Sequence, residues 1–160
     1  MTTPRPSDSK GRGGTWRVLA ELSVPSEPGN ERLAIEQVTE AVKELDLPQQ
    51  RLEKLKTAVA EATMNAMEHG NAYRPEVPVT IRVLSSEADL SVRISDRGGS
   101  PVPDPDEAPD LEAKLEGTQT PRGWGLFLIK NMVDEMHVTS DESHHTVELV
   151  MHLKGGNDAR

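Results

Sequence analysis

Two neighbouring segments of alternating polar and apolar residues constrain the fold of this 160-residue chain most strongly. Residues 77–84 and 90–94 both show the period-two pattern of half-buried strands. Ser86-Glu87-Ala88-Asp89 between them is typical of a hairpin connection. Strands joined by so short a connection run antiparallel, so the pair predicts an antiparallel or mixed sheet.

The same patterns predict the remaining elements in order. Strands are expected at 15–24, 136–140 and 146–153, and helices at about 33–45, from Pro48 to Gly70-Asn71, and at about 124–134. The second helix carries one apolar stripe, and Gly70 or Asn71 is expected to supply its left-handed cap. The predicted fold is α/β (α+β): a two-layer sandwich with a mixed, mostly antiparallel sheet and helices on one face.

The chain divides into one domain and two tails. Residues 1–14 are rich in Pro, Ser, Gly and charge and predict a disordered tail, and 154–160 predict a flexible one. Residues 15–153 form the predicted domain. Within it, 97–122 lose all periodicity and include five prolines, which predicts a functional or disordered loop.

The amino-acid composition argues against several classes of protein. No 18-residue apolar run exists, so no membrane span is expected, and the absence of Cys excludes disulfides and thiolate metal sites. That absence is consistent with a cytoplasmic protein. A net charge of −9 argues against general binding to nucleic acid and suits a partner with a basic surface, although it equally suits solubility alone.

The segment 61–71 places Glu61 and Asn65 four residues apart on one helix face, and His69 continues that face. Glu61 can accept a proton, and the amide oxygen of Asn65 is a ligand type that Mg²⁺ accepts together with phosphates and waters. Asn is a poor residue for a helix interior. The alternative is that both side chains simply face solvent beside the core.

Asp96 ends the strand at 90–94, and Gly98-Gly99 follow it. A carboxylate there can accept a hydrogen bond from the exocyclic amine of adenine, and Gly98 lets the base approach closely. The alternative is an ordinary turn containing Asp and Gly.

Gly123 and Gly125 directly precede the third predicted helix. Free N–H groups at a helix start can bind phosphate, and Arg122 would add charge. The alternative is a glycine-rich loop that only leads into the helix. His144, His145 and His152 lack the spacing of a metal site and are predicted to be strand surface residues, and His137 is predicted to be structural.

Taken in order, Glu61-x-x-x-Asn65-Ala66-x-x-His69-Gly70, Asp96-x-Gly98 and Gly123-x-Gly125-Leu126-x-Leu128-Ile129 resemble the GHKL (Bergerat-fold) ATPase superfamily. The closest resemblance is to its bacterial anti-sigma factor serine/threonine kinases, over about residues 15–153. The resemblance implies the Bergerat ATP-binding fold, ATP with Mg²⁺, and an ATP lid at about 97–122.

The resemblance also implies residue roles. Glu61 would be the general base of the kinase and Asn65 the Mg²⁺ ligand. The remaining implied nucleotide-binding residues are His69, Asp96, Gly98, Arg122, Gly123, Gly125, Leu126 and Thr146. Two departures are Pro101 after the first glycine segment and the bulky Trp124 in the second.

These features leave two main hypotheses. The first is a cytoplasmic anti-sigma factor that binds a sigma factor and phosphorylates an anti-sigma factor antagonist of the STAS type; the resemblance also implies a homodimer. The second is a partner-switching regulator that binds ATP without transferring phosphate. A catalytic domain of a two-component histidine kinase, or an ATPase domain of a topoisomerase or chaperone, fits the chain less well.

Overall fold

A computed structural model describes residues 15–97, 129–141 and 143–153 of the chain. Five strands form a single sheet in the order β1-β2-β3-β5-β4. Their bounds are β1 Arg17–Val24, β2 Val79–Ser85, β3 Asp89–Asp96, β4 Glu135–Ser140 and β5 His145–His152. Every pair of neighbouring strands is antiparallel. The predicted sandwich is confirmed, but within the described residues the sheet is antiparallel throughout and not mixed.

The two long helices lie between β1 and β2 in the chain. Helix α1 spans Glu31–Ala41, and a short 3₁₀ turn, Lys43–Leu45, follows it. Asp46 then adopts a left-handed conformation with φ 54°, and α2 spans Gln49–Asn65. Pro48 caps the start of α2, where its missing N–H has no helical partner to lose.

The core lies between the helices and one face of the sheet. Alternate residues of the central strands point into it, among them Leu90, Val92 and Ile94 of β3. The stripe predicted for the second helix is Leu52, Leu55, Val59, Ala62 and Ala66. Leu55, Val59 and Ala62 of α2 are buried, as is Ala66 directly after it, and Leu52 is partly buried against the core. The apolar spacing of the first helix predicts an inward stripe of Leu33, Ile35, Val38, Val42 and Leu45. Val38 and Val42 are buried as predicted, whereas Leu33 is exposed and Ala34 is buried in its place.

The opposite face of the sheet carries a buried polar network. Ser91 Oγ donates to Glu148 Oε2 at 2.6 Å, and Arg93 Nε donates to the same oxygen at 3.2 Å. Glu148 is only 5% exposed. A buried carboxylate is tolerated when it is paired and hydrogen-bonded, so the network fixes the pairing of β3 with β5.

The third predicted helix is described only at Ile129 and Lys130, which are helical, and Ile129 is fully buried in the core. Residues 131–134 form turns rather than the predicted end of this helix, because β4 already begins at Glu135. None of the helices that the structure describes is long and apolar enough to cross a membrane. The two predicted tails lie outside the described residues.

Candidate functional site

The predicted site centres on the C-terminal end of α2 and the end of β3. Glu61 and Asn65 lie one turn apart on α2, and both are half-buried beside the core residues Ala62 and Ala66. The prediction that they border the core is therefore confirmed. The side-chain nitrogen of Asn65 is buried and has no hydrogen-bond partner among the residues that the structure describes. A polar side chain of this kind is suited to a ligand, because burial without a partner is otherwise costly.

A π-helical turn, Ala66–Gly70, follows α2 directly. The N–H of Asn71 donates to the carbonyl of Ala66 at 2.9 Å, which closes an i→i+5 ring. Such turns are frequent at functional sites. His69 lies in this turn, half-buried, with Nε2 3.4 Å from Glu68 Oε1.

The left-handed cap predicted at Gly70 or Asn71 is wrong. Asn71 has φ −102°, and the positive φ values fall on the next two residues, Ala72 at 54° and Tyr73 at 52°. The left-handed backbone conformation is unfavourable for most residues other than Gly and Asn. The left-handed backbone therefore lies after the π turn, beyond the predicted cap position.

Gly70 is needed because the Asp96 side chain lies close to its backbone. A Cβ atom on Gly70 would overlap the Asp96 carboxyl group, with Cγ nearest and both oxygens almost as near. The carboxyl group of Asp96 therefore lies face-on against the backbone of Gly70. Only glycine permits this approach.

Asp96 has a second neighbour in β5. It pairs directly with His145, and both side chains point to the helix-covered side of the sheet. His145 Nδ1 lies 3.1 Å from Asp96 Oδ1, and both side chains are 10% exposed. The prediction that His145 is a strand surface residue is wrong, because alternation along β5 turns it inward. His144 is exposed as predicted.

Thr146 lies on the other face of the sheet. Its Oγ1 is 2.8 Å from Ser95 Oγ, and the two residues are direct partners across β3 and β5. In the described residues, therefore, Thr146 contacts the neighbour of Asp96 and not Asp96 itself.

Asn71 is a structural centre of the site that the sequence reasoning missed. It is fully buried. Its Nδ2 donates to Ser26 Oγ at 3.1 Å and to the carbonyl oxygens of Val77 at 3.0 Å and Pro78 at 3.3 Å. Its Oδ1 accepts from the backbone N–H of Arg97 at 2.8 Å. The signal in the sequence is a polar residue directly after the helix glycine, a position for which the local pattern predicts only a cap.

The other predicted nucleotide-binding residues, Gly98, Arg122, Gly123, Gly125 and Leu126, lie outside the described residues, as does nearly all of the predicted lid. Across the described ranges, no three His, Asp or Glu side chains are arranged to hold a metal ion. Asn65 would thus contribute a single oxygen ligand, and phosphates and waters would complete a magnesium shell.

The geometry fits a nucleotide. A shielded carboxylate at Asp96 can receive the adenine amine, and one face of α2 presents a second carboxylate and an amide.

Comparison with known proteins supports this interpretation, since residues 24–151 match the model of the histidine kinase-like ATPase domain. The chain belongs to this family, which is the superfamily that the three motifs resemble, and ATP is the ligand that its domain implies.

Named relatives place the chain in the anti-sigma factor branch of the family. It is 34% identical to the anti-sigma F factor of Bacillus cytotoxicus over 131 residues, which cover 80% of this chain and 88% of the relative. The anti-sigma F factor of Bacillus thuringiensis matches with the same identity and coverage.

Two solved structures share the fold. One contains the RsbU and RsbW domains of Rv1364c from Mycobacterium tuberculosis, with TM-score 0.61 and 16% identity, over 84% of this chain and 32% of that chain. The other is the SiaB–SiaC complex from Pseudomonas aeruginosa, with TM-score 0.59 and 14% identity, over 89% and 93%.

Proposed function

We propose that this protein is an anti-sigma factor and a serine/threonine protein kinase. It binds ATP with Mg²⁺, inhibits a sigma factor, and phosphorylates a Ser or Thr of an anti-sigma factor antagonist. The names of the two Bacillus relatives support the first part. The complex formed by the Pseudomonas structural neighbour supports a protein partner of this kind.

One observation carries the proposal for catalysis. Glu61 and Asn65 lie on one face of α2, and this helix continues through the π turn to Gly70, which contacts Asp96. A single continuous element therefore joins the proposed reacting end of the nucleotide to its proposed adenine end. A helix holds side chains rigidly, as the positioning of a transferred phosphoryl group requires.

The proposed chemistry assigns one task to each residue. The Glu61 carboxylate accepts the proton of the attacking hydroxyl while the new O–P bond forms and the bond from the γ-phosphorus to ADP breaks. Asn65 would hold Mg²⁺ through its amide oxygen, and bound Mg²⁺ supplies neutralisation of phosphate charge. Gly98, Arg122, Gly123, Gly125 and Leu126 are proposed to surround the phosphates, and His69 and Thr146 are proposed nucleotide neighbours.

The proposed partners determine where the protein acts. A sigma factor and its regulators are cytoplasmic, so we propose the same location for this chain. An acidic chain of net charge −9 favours encounter with a basic surface of the sigma factor. A homodimer is also proposed, from the family resemblance.

Transfer of labelled phosphate tests the kinase. We expect ³²P from γ-labelled ATP to appear on a co-expressed antagonist, and Glu61→Ala to reduce the rate by about 10²–10⁴-fold with ATP affinity retained. Glu53→Ala is the matched control, because Glu53 is an exposed glutamate on the same helix whose side-chain partners are Gln49 and Lys56. A Glu61→Ala variant with unchanged transfer would refute the assigned base.

The alternative is a switch that binds ATP without transferring phosphate. Pro101 and Trp124 favour it, because both depart from the glycine segments of the resembling family. Absence of transfer by the wild type with every antagonist recovered from the native cell would establish this alternative. Pull-down with mass spectrometry supplies those partners and identifies the sigma factor.

A further inference from the structure

The contact between Asp96 and His145 defines the geometry of the proposed adenine pocket. With the Asp96 carboxyl group ionised, this group can only accept hydrogen bonds, and the 3.1 Å contact assigns the donor proton to Nδ1 of His145. Asp96 is the last residue of β3 and His145 is the first residue of β5, and the two are direct partners. Both side chains are largely buried. The hydrogen bond is therefore charge-assisted and stronger than an exposed one.

Two contacts together fix the plane of this carboxylate. Gly70 lies against its face, and His145 holds Oδ1 at its edge. With its face and one oxygen held, the group cannot rotate about its Cβ–Cγ bond without losing a contact. A carboxylate has about four acceptor sites, so the bond from His145 does not exclude a further bond from an amine.

We propose that His145 is a positioning residue of the adenine pocket, and that the preference of this protein for ATP over GTP depends on the Nδ1 donor of His145. The inference rests on the proposed role of Asp96. Adenine presents an amine where guanine presents the acceptor O6, so a fixed, ionised carboxylate favours adenine and repels guanine. A site built to pair one hydrogen-bonding pattern discriminates strongly against the other.

In this chain the residue beside Asp96 differs from the one that the family resemblance suggested. Thr146, the residue that the resemblance suggested beside Asp96, points to the other face of the sheet and contacts Ser95. His145 occupies the inward position instead. Its neighbour His144 is exposed, with ring Nδ1 2.8 Å from Ser143 Oγ, and provides a matched control.

The experiment is calorimetric titration of the full chain with Mg-ATP and with Mg-GTP. We expect His145→Phe, which keeps a planar ring and removes the donor, to lower the ratio of ATP to GTP affinity by about tenfold, as the loss of one charge-assisted hydrogen bond implies. His145→Asn retains an N–H donor and should restore most of the ratio. His144→Phe should leave it unchanged.

A second variant separates this inference from the role of Asp96. Asp96→Asn should abolish the preference for ATP; if it does not, the proposed adenine contact itself fails. If Asp96→Asn abolishes the preference while His145→Phe leaves it intact, only the role of His145 is overturned. Thermal melting of each unliganded variant shows that it is folded, and ¹⁵N NMR of the imidazole should show the proton on Nδ1.

Discussion

At the residue scale, the helix ends at Gly70 as predicted, but the reason for the glycine differs from the predicted one. A glycine at the end of a long helix predicts a left-handed cap. In the structure the left-handed residues are Ala72 and Tyr73, and Gly70 is needed because the Asp96 carboxyl group lies against it. The functional requirement is therefore a missing side chain, and the backbone conformation is secondary.

Substitution of Gly70 tests this close approach. We expect Gly70→Ala to weaken ATP binding at least tenfold, because the added methyl group displaces the Asp96 carboxylate, and to cost about 1–3 kcal/mol of stability by overpacking. Titration calorimetry and urea unfolding measure the two effects. In an Asp96→Ala background the added methyl group meets no carboxylate, so the stability cost should largely disappear; an equal cost in both backgrounds would contradict the assigned contact.

At the scale of elements, Asn71 joins segments that are distant in the chain. Its side chain reaches Ser26 after β1, the carbonyls of Val77 and Pro78 before β2, and the N–H of Arg97 after β3. The ends of three strands thus depend on one buried amide. The end of β3 carries Asp96, so this amide also supports the proposed adenine pocket.

Removal of this amide should have a large effect. We expect Asn71→Ala to reduce the free energy of unfolding by about 3 kcal/mol, because it removes hydrogen bonds to three part-buried backbone groups and to the buried Ser26 hydroxyl. Chemical denaturation measures the change. Asn30→Ala is the control, since the Asn30 side chain donates one hydrogen bond among the described residues, to the Pro25 carbonyl at 2.9 Å, and its loss should cost about 1 kcal/mol or less. Similar losses in both variants would argue against the role of Asn71.

The elements themselves were largely predictable, and their contacts were not. Alternation located all five strands to within about two residues, because one buried face imposes a period of two. Local patterns also placed Asp96 at a strand end. They could not reveal the π turn, nor that His145 faces Asp96, because both depend on strand register and on packing between distant segments.

At the scale of the whole molecule, two adjacent acidic residues connect α2 with the last two strands. Asp134 accepts from Arg51 Nη2 at 2.8 Å and from the His152 backbone N–H at 2.7 Å. Burial tends to raise the pKa of Asp134, but these two bonds outweigh it and lower the pKa. For Glu135, the hydrogen bond with His152 is the main cause of a lowered pKa.

Because of these lowered pKa values, the free energy of unfolding depends on pH in the acidic range. A carboxyl group with a lowered folded-state pKa contributes fully above its unfolded value, ordinarily 4.5 for Glu, and loses that contribution as the pH falls through the folded-state pKa. We therefore expect the free energy of unfolding to fall below about pH 4.5, and Glu135→Gln to flatten this fall. Urea unfolding between pH 3 and 7 measures it. The exposed control Glu36→Gln should retain the wild-type slope; a slope flattened equally in both would contradict the assignment.

The order β1-β2-β3-β5-β4 also bears on how the chain reaches its native state. Among the four strand pairs of the described sheet, β2–β3 and β4–β5 are hairpins. The other two pairs join segments that are distant in the chain: both helices lie between β1 and β2, and the predicted lid lies between β3 and β5. Such non-local pairing carries a high contact order, which sets folding in the range of milliseconds to seconds. Because Asp96 and His145 come together only when β3 meets β5, the adenine pocket is expected to form late, and nucleotide would then slow unfolding more than it speeds folding.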